Sequence, residues 1–300
     1  MKFVSNGKKY RYIFKSVYAV SILFSILICA LSFSNCFAGA DSRIVSMVKD
    51  RGHLVLVGGG AKTGREVELF IKLAQGDKKQ IIVFPLASEN YKETGEEDVE
   101  MFVKSGARDV RVMDIKDRRD ASGIQNIEAV LNCGGVWFSG GDQNRITEKM
   151  LGTPLLDAIK LMKAKGGVVG GTSAGTACQS DPMLTGDGDM ESIKKGGVVL
   201  AKGLGLIKGV IVDQHFIKRQ RENRLFSVVI ENPSKLGIGI DEDTTVWVRP
   251  DKSAEVMGEG SVMIIDARKA GITCKGEKLN AFGIRVDVLT DGQTFKISGN

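Results

Sequence analysis

The stretch GGVVGGTSAGTACQSD, residues 166–181, sets Ser173 between Gly171 and Gly175, directly after a run of small apolar residues. The spacing is G-x-S-x-G, in which small flanking residues let the backbone turn sharply at a strand end and push a hydroxyl clear of the sheet. The N–H of Ala174, opening the helix that follows, would then face a developing oxyanion. A phosphate-binding glycine loop is the competing reading, but no lysine follows as such a loop requires. A serine hydroxyl is a weak nucleophile and needs a base. The chain has two histidines. His53 opens the first expected strand, the wrong end for a site built at strand carboxyl ends. His215 directly follows the apolar run in GVIVDQHF and is the expected base. The base needs an orienting acid, and GIGIDEDTTVWV offers Asp241, Glu242 and Asp243 after another apolar run. These residues alone leave open which carboxylate faces the imidazole. The order serine, histidine, acid is not that of α/β-hydrolases, which argues against an esterase or lipase.

The elements that must position these groups read clearly. HLVLVGGG, KQIIVFPLAS, RDVRVMDI, GGVWFSGGDQ and GGVVGG are apolar strand patterns. Between them lie helical patterns in REVELFIKLAQ, in residues 97–104, in IQNIEAVLNC and in TPLLDAIKLMKAKG. Strands apolar throughout, separated by crossover helices, predict a parallel sheet covered on both faces. Beyond residue 203 a strand (GVIVDQHF) and a helix (RENRLFSVVIENP) precede four short strands, LGIGIDED, TTVWVRP, SAEVMGEG and SVMIIDA. The expected class is α/β: a largely parallel sheet flanked by helices, with a C-terminal antiparallel extension on the same sheet. Residues 184–197, polar and glycine-rich, are expected to form a surface loop bordering the site. No repeat, low-complexity tract or Pro-rich linker divides the chain.

Residues 1–40 read as a secretion signal. Five basic residues (Lys2, Lys8, Lys9, Arg11, Lys15) precede an apolar run over residues 17–31 and a small-x-small pattern at Ala38-Gly39-Ala40. Retention as a membrane anchor is the alternative, since the apolar run is a little short of a span. The expected organisation is a signal over 1–40 and one domain over 41–300, secreted or periplasmic after cleavage near Ala40, with no membrane attachment in the mature form. Of 42 basic and 36 acidic side chains, the signal holds five basic ones, so the rest is nearly neutral and nucleic acid binding is not implied. Cys133, Cys178 and Cys274 have no metal-ligand or disulfide spacing, and buried single thiols are expected, with one pair able to form after export as the alternative.

The segments GGTSAGTA, VWFSGGDQNRI, DQHF with the following KRQRENRL, and GIGIDEDT occur in that order. Together they resemble the cyanophycinases of the S51 serine peptidase family, from about Leu54 to Trp247. The resemblance implies a fold related to class I glutamine amidotransferases, with serine in place of their cysteine. It implies Ser173 as nucleophile, His215 as base and Glu242 as acid. Gly141 and Asp142 would add oxyanion donors beside Ala174, and Gln143, Asp213, Gln214, Arg219, Arg221 and Arg224 would bind substrate. No metal or organic cofactor is implied.

The implied substrate is cyanophycin, poly-aspartate with arginine on each β-carboxyl group, so every branch ends in a carboxylate and a guanidinium. Arginines pair with carboxylates through a planar fork, which gives the R-x-R-x-x-R cluster independent sense, although the same run could be a solvated helix face. Two positions depart from the family's usual residues: Thr176 stands where alanine is usual, and Gln220 where glycine is usual. Neither belongs to the expected triad. The expected function is a secreted serine exopeptidase releasing β-Asp-Arg dipeptides. The rivals are a peptidase for short Asp-containing peptides and a non-catalytic binding protein on the same scaffold. A two-fold homodimer is the default assembly.

Overall fold

The computed structural model describes residues 48–60, 64–189 and 191–297. The expected signal and its cleavage pattern lie outside the described residues, which all fall within one compact unit, residues 45–300. Apolar strands and amphipathic helices alternate as their periodicities predict. In chain order they are β1 (His53–Val57), α1 (Arg65–Ala74), β2 (Ile81–Phe84), α2 (Tyr91–Lys104), β3 (Val110–Val112), α3 (Ile124–Asn132) and β4 (Gly135–Phe138). Then come α4 (Gln143–Met150), α5 (Pro154–Ala164), β5 (Val168–Thr172) and a single turn, α6 (Ala174–Ala177). The strands β1, β5, β4, β2 and β3 lie side by side in that order and pair in parallel.

Side chains alternate across a strand, so a sheet buried on both faces needs apolar residues at every position. Leu54 and Leu56 of β1 enter one core with Ile82, Phe84, Val136 and Val169, beneath α3 and α5. Val55 and Val57 enter the opposite core with Ile81, Val83, Trp137 and Val168, beneath α1 and α2. There Phe70, Phe102 and Trp137 meet with centroids 5.3–5.4 Å apart, the indole edge-on to both rings. Thr153 caps α5 by accepting from the Leu156 N–H, with Pro154 at the first helical position.

The remaining elements are β6 (Met183–Gly188), β7 (Val198–Ala201), β8 (Val210–Gln214), α7 (Glu222–Glu231), β9 (Leu236–Ile240), β10 (Thr244–Val248), β11 (Ser253–Gly258), β12 (Val262–Asp266), β13 (Gly271–Lys275), β14 (Lys278–Phe282), β15 (Arg285–Leu289) and β16 (Thr294–Lys296). The antiparallel extension is present: β10, β11 and β16 continue the main sheet from β1. It does not take all the C-terminal strands. β8 and β9 pair in parallel and, with β12 and β15, form a separate four-stranded sheet. The cause is again burial on two faces. Val210, Val212, Ile238 and Ile240 enter the main core, while Ile211 packs under Leu225, Val228 and Val229 of α7. Residues 184–197 are not wholly a loop, since β6 and β7 form a hairpin with an irregular register between Leu184 and Gly188.

One polar contact fastens this second layer. Asp213 on β8 and Arg224 on α7 are 0% and 1% exposed, and the guanidinium grips the carboxylate through Nε and Nη2, the former at 2.6 Å. Removing one partner strands a buried charge, which typically costs about 3–5 kcal/mol. Arg224→Ala is therefore expected to lower unfolding stability by about that amount in urea titrations. A loss below about 1 kcal/mol would show the pair is dispensable.

Candidate active site

Every group expected to react sits at the carboxyl end of a parallel strand, where open α/β sheets form their crevice. β5 ends at Thr172, and Ser173 then takes φ 52° and ψ −113° before α6 begins. That backbone is strained for a residue with a Cβ, costing about 1–3 kcal/mol. Its neighbours permit the turn: a Cβ on Gly175 would lie 2.0 Å from the Phe138 carbonyl oxygen. β8 delivers Gln214 and then His215, and β9 runs directly into Asp241 and Glu242.

These groups form one chain of hydrogen bonds. Ser173 Oγ lies 2.8 Å from His215 Nε2, and His215 Nδ1 lies 2.6 Å from Glu242 Oε1. A carboxylate only accepts, so Nδ1 carries the proton and Nε2 of the neutral ring accepts from the serine hydroxyl. Burial pushes the imidazole below its ordinary value, partly offset by Glu242, with Arg219 pushing in the same direction as burial. Glu242 is held below the usual carboxylate range, chiefly by its bond from His215. At neutral pH the arrangement is an unprotonated base against a hydroxyl. It can take the hydroxyl proton as that oxygen attacks.

Asp241 is engaged elsewhere, accepting from the Lys218 N–H at 3.0 Å. Among the described residues Asp243 Oδ1 is buried without a partner. Of the three consecutive carboxylates, Glu242 alone meets the imidazole.

Gly141 and Asp142 follow β4. Ser139, at the base of their turn, donates to buried Asp98 at 2.6 Å. Among the described residues the N–H groups of Ala174 and Gly141 donate to no backbone or side chain. A buried N–H without an acceptor, as at Ala174, is one an oxyanion would satisfy. The Asp142 N–H corrects the expectation that it joins them. It donates to the Ala87 carbonyl at 2.9 Å, while its side chain caps α4 through Asn144.

The expected substrate-binding residues separate into two groups. Gln214 brings Oε1 to 3.4 Å from Ser173 Oγ, and Arg219, exposed, stands four residues beyond the base. Arg221 donates to the Gln214 carbonyl at 2.7 Å, and burial lowers its pKa to about 10. Gln143 is buried and donates to the Leu184 carbonyl at 2.8 Å, tying α4 to the β6–β7 hairpin. Asp213 and Arg224, expected at the substrate, are enclosed instead. They close on each other in the interior with no surface to offer, which corrects that expectation for both.

Residues 54–256 match the model of peptidase family S51. The chain belongs to that family. A cyanophycinase of Geminocystis herdmanii is 37% identical over 251 residues, 80% of this chain and 92% of that one. One from Synechococcus elongatus is 36% identical over 258 residues, 82% and 80% of the two chains. A crystal structure of a peptidase from an acI-B1 actinobacterium superposes with a TM-score of 0.64 at 23% identity, covering 83% of this chain and 98% of the other. This S51 chain is thus a peptidase on a fold consistent with the glutamine amidotransferase-like class.

Beside the triad lie residues that the sequence marks only as the end of an apolar strand pattern. The chain after β1, Gly58-Gly59-Gly60, lies under the triad. Gly59 has φ 111°, and a Cβ there would stand 2.2 Å from His215 Cε1. The signal was visible as three consecutive glycines after an apolar strand, but nothing local says what approaches them. Thr176, one of the two departures, is fully buried with its hydroxyl 2.7 Å from both the Val57 and Gly171 carbonyls. Gln220, the other, is exposed with φ 52°, a left-handed position where glycine is the easier occupant. Cys133 and Cys178 are buried thiols, the former pushed up to about 12 by burial; Cys274 is exposed, contrary to expectation. Among the described residues no three His, Cys, Asp or Glu side chains converge as a metal site, and no helix is long and apolar enough to cross a membrane.

A base that must be neutral makes activity rise with pH as it loses its proton. kcat/KM is expected to climb through an inflection below 6.5, the ordinary histidine value, and then level. Arg219→Gln removes a positive charge that disfavours the imidazolium, so its inflection should move to higher pH, most clearly at low salt. A profile that does not move, or moves downward, would remove Arg219 from the electrostatics of the base.

Proposed function

We propose that this S51 peptidase is a serine exopeptidase that hydrolyses cyanophycin to β-aspartyl-arginine dipeptides. The observation that carries the reading is the unbroken chain Ser173–His215–Glu242, with bonds of 2.8 and 2.6 Å, in a sequence 37% identical to a cyanophycinase. Ser173 Oγ attacks the scissile carbonyl carbon while His215 Nε2 takes its proton. Glu242 holds the Nδ1–H and stabilises the imidazolium. The N–H groups of Ala174 and Gly141 hold the oxyanion. His215 then protonates the leaving amine, leaving an acyl-serine. Water, deprotonated by His215, attacks that ester and returns the proton and the serine.

Arg219 supplies the exposed cation for a substrate carboxylate, while Arg221 acts from behind by fixing Gln214. The glycine turn after β4 lies against the nucleophile, since a Cβ on Gly140 would stand 3.6 Å from Ser173 Cβ, which supports a backbone donor from Gly141 at the oxyanion. The basic start and small-x-small pattern of residues 1–40 support export, with a catalytic domain over 41–300 acting outside the cytoplasm or in the periplasm.

The test is product formation from purified cyanophycin. Ser173→Ala and His215→Ala should each lower kcat by about a millionfold, and Glu242→Gln by about ten-thousandfold, since nucleophile and base act as a unit and the acid supports them. Full activity in Ser173→Ala would overturn the mechanism. Arg219→Gln should cost about tenfold in kcat/KM on the polymer, and much less on an uncharged chromogenic ester. Equal losses on both would make Arg219 structural. Cleavage confined to short Asp-containing peptides would replace the polymer by that substrate class.

A further inference from the structure

A cavity of about 490 Å³ lies beside the described site and is used by none of the steps above. Its floor includes Leu86 and Ser88, on the loop between β2 and α2. That loop backs directly onto the oxyanion turn. Asp142 donates to the Ala87 carbonyl at 2.9 Å, and a Cβ on Gly141 would stand 2.9 Å from the Ser88 nitrogen. The loop that lines the cavity is therefore in direct backbone contact with the turn assigned to the oxyanion.

Each wall carries both signs of charge. Arg145, Glu148 and Lys149 line it from α4, at helix positions three and four apart that share a face. Asp114 and Lys116 line it from the segment after β3, with Tyr91 between. Three cations and two carboxylates give no strong preference for a polyanion or a polycation. Their existing pairings are loose or solvent-exposed: Lys116 Nζ is 3.8 Å from Asp114 Oδ2, and Arg145 pairs at 2.5 Å with Glu89, itself 81% exposed. Such pairs contribute little and can exchange partners. Lys149 is partly committed, donating to the Ile115 carbonyl at 3.1 Å. A ligand that carries an anionic and a cationic group on one unit matches both walls at once.

We propose that this cavity is a second substrate subsite, which takes a carboxylate- and guanidinium-bearing unit of the polymer distant from the bond being cut. The inference rests on the cyanophycin reading. The Asp142–Ala87 contact sets the cavity's lining loop against the oxyanion turn, so units beyond the scissile bond would lie near it. Its branches would meet Lys116 and Arg145 with their carboxylates, and Asp114 and Glu148 with their guanidinium groups.

The experiment compares wild type with the double variant Lys116→Gln/Glu148→Gln, two exposed positions outside the catalytic chain. Substrates are soluble cyanophycin and the two-unit peptide (β-Asp-Arg)2, which has one cleavable bond and is too short to fill both places. For the polymer, KM should rise about fivefold at low salt with kcat unchanged, and the difference should shrink at high salt. Both parameters should be unchanged on the two-unit peptide, as should the thermal midpoint. An unchanged polymer KM, or equal rises on both substrates, would overturn the subsite. A wild-type protein that cuts the two-unit peptide but not the polymer would instead overturn the cyanophycin reading on which it rests.

Discussion

Three successive carbonyls at the end of β1 hold the reacting groups in place. The Val57 oxygen accepts from the Ser173 N–H at 3.0 Å, the Gly58 oxygen from the His215 N–H at 2.8 Å, and the Gly59 oxygen from the Asp243 N–H, beside Glu242, at 2.9 Å. Serine, histidine and acid come from three different strands, two of them in a separate sheet. Each is nonetheless fastened by backbone to the same three-residue segment. Backbone bonds do not depend on rotamers, so the spacing of the triad is set before any side chain closes. Only a residue lacking a Cβ could run so close beneath the imidazole, which accounts for the glycine at position 59.

That common anchor explains how the site carries strain. Ser173 and His215 both have φ near +50°, and Asp243 likewise, where side chains are disfavoured. A local turn would relax. Here each strained residue has its N–H committed to the end of β1 or the two glycines after it, and the strands that deliver them are buried on both faces. The Asp213–Arg224 pair fixes the end of β8, two residues before His215, against α7. Arg221 does the same for Gln214 one residue on. Two of the three clustered arginines thus act inward, and the exposed one faces the crevice.

The parallel sheet, the strand-end placement of the serine and the uniqueness of His215 were all legible in the sequence. Periodicity reports burial, and two histidines leave little choice. What was not legible is pairing at a distance. LGIGIDED and TTVWVRP both read as strands, but nothing in either says that β9 joins β8 in a second sheet while β10 joins β1. The R-x-R-x-x-R spacing shows three cations near the base. It does not show that Asp213 waits inside for the last of them, because the partner lies eleven residues away across a strand and a turn. The same limit applies to Asp142, whose type suits a loop donor but whose N–H is taken by Ala87.

The molecule separates reaction from recognition physically. The groups that would break a bond hang from strand ends through backbone contacts, among side chains that are mostly buried. Charged side chains that could choose a substrate stand on exposed helix faces and loops: Arg219 in the turn after β8, and Lys116, Arg145 and Glu148 around the neighbouring cavity. Glutamine at the left-handed, exposed position 220 likewise adds bulk on that outer side and no charge, away from the triad atoms. Substitution at Thr176 would act the other way. Its hydroxyl, fully enclosed, reaches both the Val57 carbonyl, which also holds the serine, and the Gly171 carbonyl, two residues before the serine. It stiffens the elbow and leaves the mouth untouched, so the two departures from the family's usual residues fall on opposite sides of that division.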